Sequence, residues 1–326
     1  RFVKWFCNEV RNDPEIDYVA FLGDWNENRS ALNIATLNMS YFAAKLLNEL
    51  DMPIYFVIGN HDLYYRNSRE IHSVIPFAEF NNFVLIEEPT VIDEIHGSTL
   101  FVPFMFPDEY PMLSQYRSVP FWAGHFEFQG FEVTGYGMRM PTGPKHSDFT
   151  GPKYIASGHF HKRQLNDNVV YIGNAFPMDF GDAGDFGRGM MTYDHVKEEM
   201  LFEDWKDCPK YITAQLSEIL DGSVALYPDS RVKCVCDIQI NYEENNIIRQ
   251  KFTKDFSLRE FVLEEASHVQ EALEGSGAEI DWDDTKVAST DELVNTMLMG
   301  IESDANDNDI LSNIYTSLGE EKHLND

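Results

Sequence analysis

The chain has 326 residues, of which 43% are hydrophobic and 13% aromatic, enough for a substantial core and a prior of about two domains. Its 25 Lys and Arg against 55 Asp and Glu leave a formal charge of −30, so a basic nucleic-acid coat is excluded, and any polyanion must be held by a local basic surface or by metal ions. Four scattered cysteines (Cys7, Cys208, Cys234, Cys236) make no disulfide framework and fit a reducing cytoplasm. No apolar run reaches the ~18 residues of a membrane span, and residues 1–10 lack a signal-peptide layout.

In chain order, Phe2, Val3, Phe6 and Val10 fall near one face of a 3.6-residue period and predict a helix over 1–12. Tyr18–Leu22 reads as a buried strand released at Gly23-Asp24. Helical spacing from Ala31 to Leu50 follows, with Ser30 as the expected N-cap. A second strand, Ile54–Ile58, ends at Gly59-Asn60-His61-Asp62. Strand, polar loop, helix, strand, polar loop is an α/β signature, and in such sheets the loops at the C-terminal strand ends carry ligands. Further strands are expected at Phe83–Ile86, Thr99–Val102, Val119–Ala123, Lys153–Ser157 and Val169–Ile172, two of them released at Gly124-His125 and Gly158-His159.

Beyond residue 205 the composition shifts. A strand at Val232–Ile240 and a helix at Leu258–Ala272 suggest a small α+β domain. Cys234 and Cys236 are expected on one face of that strand as core residues, because a single Cys-x-Cys is poor evidence for zinc. From Glu271 to Asp326 there are 15 acidic and 2 basic side chains, with two short amphipathic stretches, Leu293–Ile301 and Ile310–Leu318, that need a partner surface to bury their apolar faces. A frayed pair of helices on the chain's own domain is the plainer alternative. The expected domains are therefore 1–204, 205–272 and an acidic segment 273–326.

Asp24, Asn60, His125, His159 and His161 offer oxygen and imidazole donors suited to Mn²⁺, Fe²⁺ or Zn²⁺. Any one of these pairs alone is a turn or a cap. Their joint occurrence, each after a buried strand, points to a metal site. In Gly158-His-Phe-His161, His159 and His161 can face the same way, each toward a different ion. Two ions ~3.5–4 Å apart suit phosphate ester hydrolysis.

Gly23-Asp24, Gly59-Asn-His-Asp62, Gly124-His125 and Gly158-His-Phe-His161 resemble the motifs of the calcineurin-like metallophosphoesterases. Trp122–Gly130, Ser157–His161, Tyr171–Pro177 and Arg188-Gly189 narrow the resemblance to the Mre11/SbcD nuclease branch, nearest the recombination endonuclease subunits of T4-type bacteriophages. The resemblance covers about residues 15–200. It implies a four-layer α/β/β/α sandwich with an α+β cap, two divalent ions (Mn²⁺ above all) and DNA as substrate. It implies that Asp24 bridges the ions, that Asn60, His125 and His159 complete one of them, and that His161 serves the other. His61 would face the scissile phosphate, and Asp62 would orient His61 or its loop.

The family's first motif, Asp-x-His, has no counterpart here, and the resemblance places it upstream of Arg1. Glu70-Ile-His72 and Glu94-Ile-His96 mimic its spacing but follow motifs they should precede. Where the nuclease branch often has a His three residues after the bridging Asp, this chain has Glu27.

For DNA, the basic side chains near the site are Arg66, Arg69, Arg139, Lys145, Lys153, Lys162, Arg163 and Arg188, with Lys162 and Arg163 foremost because they follow His161. Tyr64, Tyr65 and Phe160 are the expected stacking rings. The family's partner is a Rad50/SbcC-type coiled-coil ATPase, for which Leu293, Met297, Ile301, Ile310 and Ile314 are the expected contacts. Homodimerisation is compatible with the pattern, a membrane is not, and the expected compartment is the cytoplasm, the host's for a phage protein. The leading function is thus an Mn²⁺-dependent exo- or endonuclease. Its rivals are a stand-alone small-molecule phosphodiesterase or phosphatase and a non-catalytic scaffold.

Overall fold

The computed structural model describes residues 1–265, apart from 94–95 and 134–137. The first helix, α1, runs Phe2–Asn12 and buries Cys7 and Val10. Strand β1 (Val19–Leu22) follows, then α2 (Ile34–Asn48). The cap of α2 is Asn33 rather than the expected Ser30: the Asn33 carboxamide accepts the Thr36 N–H at 2.9 Å, while Ser30 is drawn into a turn closed by Asn28. Asparagine satisfies an orphan amide at a helix start as well as serine does.

Strands β2 (Ile54–Val57) and β3 (Phe83–Ile86) join β1 in a parallel sheet of order β1-β2-β3. A second sheet is built from β4 (Thr90–Ile92), β5 (Thr99–Val102), β6 (Phe121–Gly124), β7 (Tyr154–Ser157), β8 (Gln164–Asn166) and β9 (Val169–Tyr171), in the order β4-β5-β6-β7-β9-β8. Its four central strands are parallel, and antiparallel β4 and β8 close its edges.

All four residues of β2, β5 and β6 are buried, because these strands are covered on both faces. Between the sheets lie Leu22, Tyr55, Val57 and Ile86 from one, and Phe101, Phe121, Ala123 and Ala156 from the other. The outer face of the first sheet buries Val19, Ile54, Phe56 and Phe83 against Cys7 and Val10 of α1 and Ala44 and Leu47 of α2. Full burial of one ring such as Phe56 stabilises by roughly 1.5–3 kcal/mol. The outer face of the second sheet, with Leu100, Val102, Trp122 and Ile155, is covered by Phe126, Phe128, Phe131, Phe149 and a 3-10 turn at Tyr110–Tyr116. The fold is the layered α/β sandwich expected, its second outer layer made of 3-10 turns and phenylalanine-rich loops among the described residues.

An antiparallel ribbon of β10 (Gly189–Asp194) and β11 (Glu199–Asp204) follows. Then come β12 (Tyr211–Gln215), α3 (Leu216–Leu220), β13 (Arg231–Cys236), α4 (Tyr242–Asp255) and β14 (Glu260–Glu265), whose strands form a separate parallel sheet, β12-β13-β14. The helix expected at 258–272 is overturned over its described part. Cys234 pairs with Leu263 and Val232 with Phe261, so the apolar side chains there follow a period of two. The helix of this region is α4 instead, started by a reciprocal pair in which Asn241 caps the Glu244 N–H and Glu244 caps that of Asn241. The expected strand at 232–240 ends at Cys236, and Val232, Cys234 and Cys236 share its buried face.

Candidate metal centre

Strands β1 and β2 of one sheet and β6 and β7 of the other deliver their C-terminal ends to one place, because each pair is parallel and the two sheets share an inner core. There Asp24 Oδ2 stands 3.2 Å from His125 Nε2, and Asn60 Oδ1 is 2.9 Å from the same nitrogen. His159 Nδ1 is 3.0 Å from Asn60 Oδ1 and 3.1 Å from His125 Nε2. The ligating atoms of Asp24, His125 and His159 all lie within 4.8 Å of one another. Two oxygens and two imidazole nitrogens converging on one point form a donor set for a borderline divalent cation.

The loops that carry these atoms are held in uncommon backbone states. Asp24 has φ 60° and His159 φ 76°, the left-handed region that costs a non-glycine residue on the order of 1–3 kcal/mol. Gly59 permits the close approach beneath Asp24, where a Cβ would collide with the Asp24 amide and carboxylate.

Asp62, fully buried, holds these loops. Its carboxylate accepts the amides of Asp24 (2.9 Å), Gly59 (3.0 Å), Trp25 (3.0 Å) and Asn26 (3.4 Å). Of the two roles anticipated for Asp62, the geometry is that of a loop clamp and not of an orienter of His61. His61 is fixed by other groups: its amide donates to Asp24 Oδ1 at 2.7 Å, and its Nδ1 lies 2.8 Å from the Glu27 carbonyl. That carbonyl only accepts, so Nδ1 carries the proton and Nε2 remains for chemistry. The Glu27 backbone, not its carboxylate, is the part that touches His61.

Burial, then the Asp24 charge, pushes the Asp62 carboxyl up to about 6. Burial also acts to raise Asp24, but His125 and the His61 amide outweigh it and hold Asp24 at about 2. Burial disfavours the His125 cation, yet the Asp24 carboxylate beside it holds the ring above its ordinary value, so a cation taking Nε2 displaces a proton. Burial lowers His159, which favours the neutral ring that a cation would need. His125 Nδ1 is 2.7 Å from the Leu22 carbonyl and carries its proton there, which turns the Nε2 lone pair toward the cluster once the ring is neutral.

His161 does not join the trio. Its carbonyl accepts Arg188 Nη1 (2.7 Å) and the Asn174 amide (2.9 Å), and among the described residues one metal-competent group assembles. His72 pairs with Glu87 at 2.9 Å, and His96 lies 4.0 Å from Asp17, so neither stands in for an Asp-x-His ligand. Glu127 escaped the sequence reading. Its Oε2 is 3.2 Å from His159 Nε2, and a glutamate two positions after His125 carries no local signal for that contact.

Tyr64, Tyr65 and Arg66 are exposed on the segment that follows His61 and Asp62. Phe160, expected to stack on bases, is instead 3% exposed and packed on Tyr171. Arg188, expected at the surface, is 1% exposed and paired with Asp182 and Asp185. Arg69 is likewise tied to both Glu109 oxygens. Lys162 meets Glu132 at 2.8 Å, and Arg163 meets Asp204 at 2.9 Å while its guanidinium lies over Phe202. Leu293, Met297, Ile301, Ile310 and Ile314 lie outside the described residues. No helix among the described residues is long and apolar enough to cross a membrane.

Sandwiched sheets that converge an aspartate, an asparagine and two histidines at their strand ends define a metal-dependent phosphoesterase scaffold. Residues 1–163, half of the chain, match the family model of the calcineurin-like phosphoesterases, and the chain belongs to that family, whose members use divalent metals. The chain is also 27% identical over 185 residues to exonuclease subunit 1 of Enterobacteria phage T4, a match covering 55% of this chain and 53% of that protein. It thus spans about half the length of the curated relative it matches.

Proposed function

We propose that this chain is the nuclease subunit of a phage-type DNA end-processing complex, hydrolysing phosphodiester bonds with Mn²⁺. The observation that carries the reading is the convergence of Asp24, Asn60, His125 and His159 beside a half-exposed His61. Likeness to a phage exonuclease subunit favours DNA over a small ester.

A bound divalent cation supplies charge neutralisation and an acidified water. The chain's residues do the rest. Asp24, Asn60, His125 and His159 would hold the cation, and Asp24 and His161 would be the residues of this chain available to a second one. Asp62 keeps the two loops in register, and His61, with a second proton taken up on Nε2, would give that proton to the leaving 3′ oxygen as water oxygen bonds to phosphorus and the P–O3′ bond breaks. Tyr64, Tyr65 and Arg66, exposed on the segment after Asp62, would meet the strand. Lys162 and Arg163, already paired with carboxylates, contribute less charge than their position suggests.

On this reading residues 1–204 are the nuclease domain, 205–272 a cap, and 273–326 the segment that meets a coiled-coil ATPase. The work is done in the host cytoplasm. Self-association has a surface: Ile34, Leu37 and Tyr41 of α2 are exposed at i, i+3 and i+7.

The test is release of nucleotides from linear duplex DNA with Mn²⁺, for wild type and His61→Ser. Release by wild type that the substitution abolishes is expected. Hydrolysis of bis-p-nitrophenyl phosphate with intact DNA would assign the site to small esters and overturn the proposal.

A further inference from the structure

We propose that Glu127 is a positioning residue for His159: its carboxylate fixes the ring so that Nδ1 offers a lone pair to a divalent cation. The assignment rests on the reading of Asp24, Asn60, His125 and His159 as a metal centre. A neutral imidazole has one proton for two nitrogens, and the partner of one nitrogen decides the state of the other. Glu127 Oε2 lies 3.2 Å from His159 Nε2, and an ionised carboxylate only accepts. Asn60 Oδ1, 3.0 Å from Nδ1, is an acceptor as well, with His125 Nε2 3.1 Å from the same nitrogen; the tautomer we assign holds the proton on Nε2 against Glu127 and leaves Nδ1 bare toward the cluster.

The two histidines of the centre use different devices for the same end. His125 is set by a backbone carbonyl, that of Leu22 at 2.7 Å, which no substitution of one side chain removes. His159 depends on a side chain carried two residues beyond His125. Its ring is also confined by Phe104, stacked with centroids 6.1 Å apart, and by Phe160 at 4.8 Å, so the plane is packed while the tautomer is chosen by Glu127. Carboxylates behind ligating histidines orient the ring and raise its basicity, and their loss typically weakens metal affinity ~10–100-fold.

Two measurements on the full chain test the assignment. Long-range ¹H–¹⁵N spectra of the histidine rings, recorded in EDTA, should show His159 as the Nε2–H tautomer in wild type and in Glu127→Gln, whose amide oxygen also accepts. Glu127→Ala should lose that preference. Titration with Mn²⁺, followed by the electron paramagnetic resonance of the free ion, should show ~10–100-fold weaker binding for Glu127→Ala and substantial rescue by Glu127→Gln. A wild-type His159 protonated on Nδ1, or an alanine variant that binds Mn²⁺ like wild type, overturns the assignment. Asp24→Asn separates the two readings. If it binds Mn²⁺ like wild type, the metal centre itself is wrong. If it loses binding while Glu127→Ala does not, only the role of Glu127 fails.

Discussion

The Asp62 carboxylate accepts the backbone N–H of Asp24 at 2.9 Å, so a buried acid on the loop after β2 fixes the candidate ligand on the loop after β1. Three more amides converge on the same carboxylate. Asp62→Ala leaves these donors unpaired, at ~1–3 kcal/mol for a buried group. A loss of about 3 kcal/mol in urea unfolding is expected, together with weaker Mn²⁺ binding. A loss below ~0.5 kcal/mol, the level of an ordinary surface change, contradicts the clamp.

The same acid predicts a pH dependence. Its folded value of about 6 lies above the ordinary 3.8, so its protonated form is the one favoured by folding. Its contribution to stability is full below about pH 4 and declines as pH rises toward 6. Relative to Asp62→Asn, which does not titrate, wild type should lose stability across that window in EDTA. A flat difference rejects the assignment.

Gly59→Ala inserts a Cβ into the Asp24 amide and carboxylate. Backbone cannot yield as a flexible side-chain tip does, so a loss of ~1–3 kcal/mol is expected, within the range for overpacked sites. Thermal melting and Mn²⁺ binding should fall together. A variant with unchanged binding would show that the loops are not held so closely.

Arg188 is buried with Asp182 at 3.0 Å and also donates to the His161 carbonyl. Arg188→Met strands a buried carboxylate, for which about 3–5 kcal/mol is expected in chemical unfolding. The double variant Arg188→Met/Asp182→Leu should recover much of that loss. Failure of the second change to rescue would locate the effect elsewhere.

Burial pushes the Cys234 thiol up to about 12 and that of Cys208 up to about 11. Both are protonated at pH 8, and the thiolate is the reactive form. Iodoacetamide at pH 8 should leave both unmodified in the folded protein on a timescale that labels them fully in urea, as peptide mass mapping would report. Rapid labelling of Cys234 in the folded state contradicts its placement on the inner face of β13.

Much of the candidate centre was legible because its candidate donors stand directly after short apolar runs: Asp24 after Tyr18–Leu22, Asn60 after Ile54–Ile58, and His125 and His159 after two more. Parallel strands then bring the ends together without further information. What escaped depends on three dimensions. Glu127 lies between Phe126 and Phe128 and meets His159 only because β6 and β7 are neighbours. Arg188 reads as a surface cation in one dimension, where its Asp182 and Asp185 partners look like solvated loop residues. Leu258, Phe261 and Val262 fit a helical spacing as well as a strand's, and pairing with β13 decides between them. The start of α4 was missed too, although Asn241 and Glu244 carry the residue types of a reciprocal cap.

The most direct measurement of the metal centre is anomalous diffraction from crystals of the full chain grown with Mn²⁺. The account predicts an anomalous peak at bonding distance from Asp24 Oδ2, Asn60 Oδ1, His125 Nε2 and His159 Nδ1 together. A peak bound elsewhere, with these four atoms still in contact with one another, would contradict it.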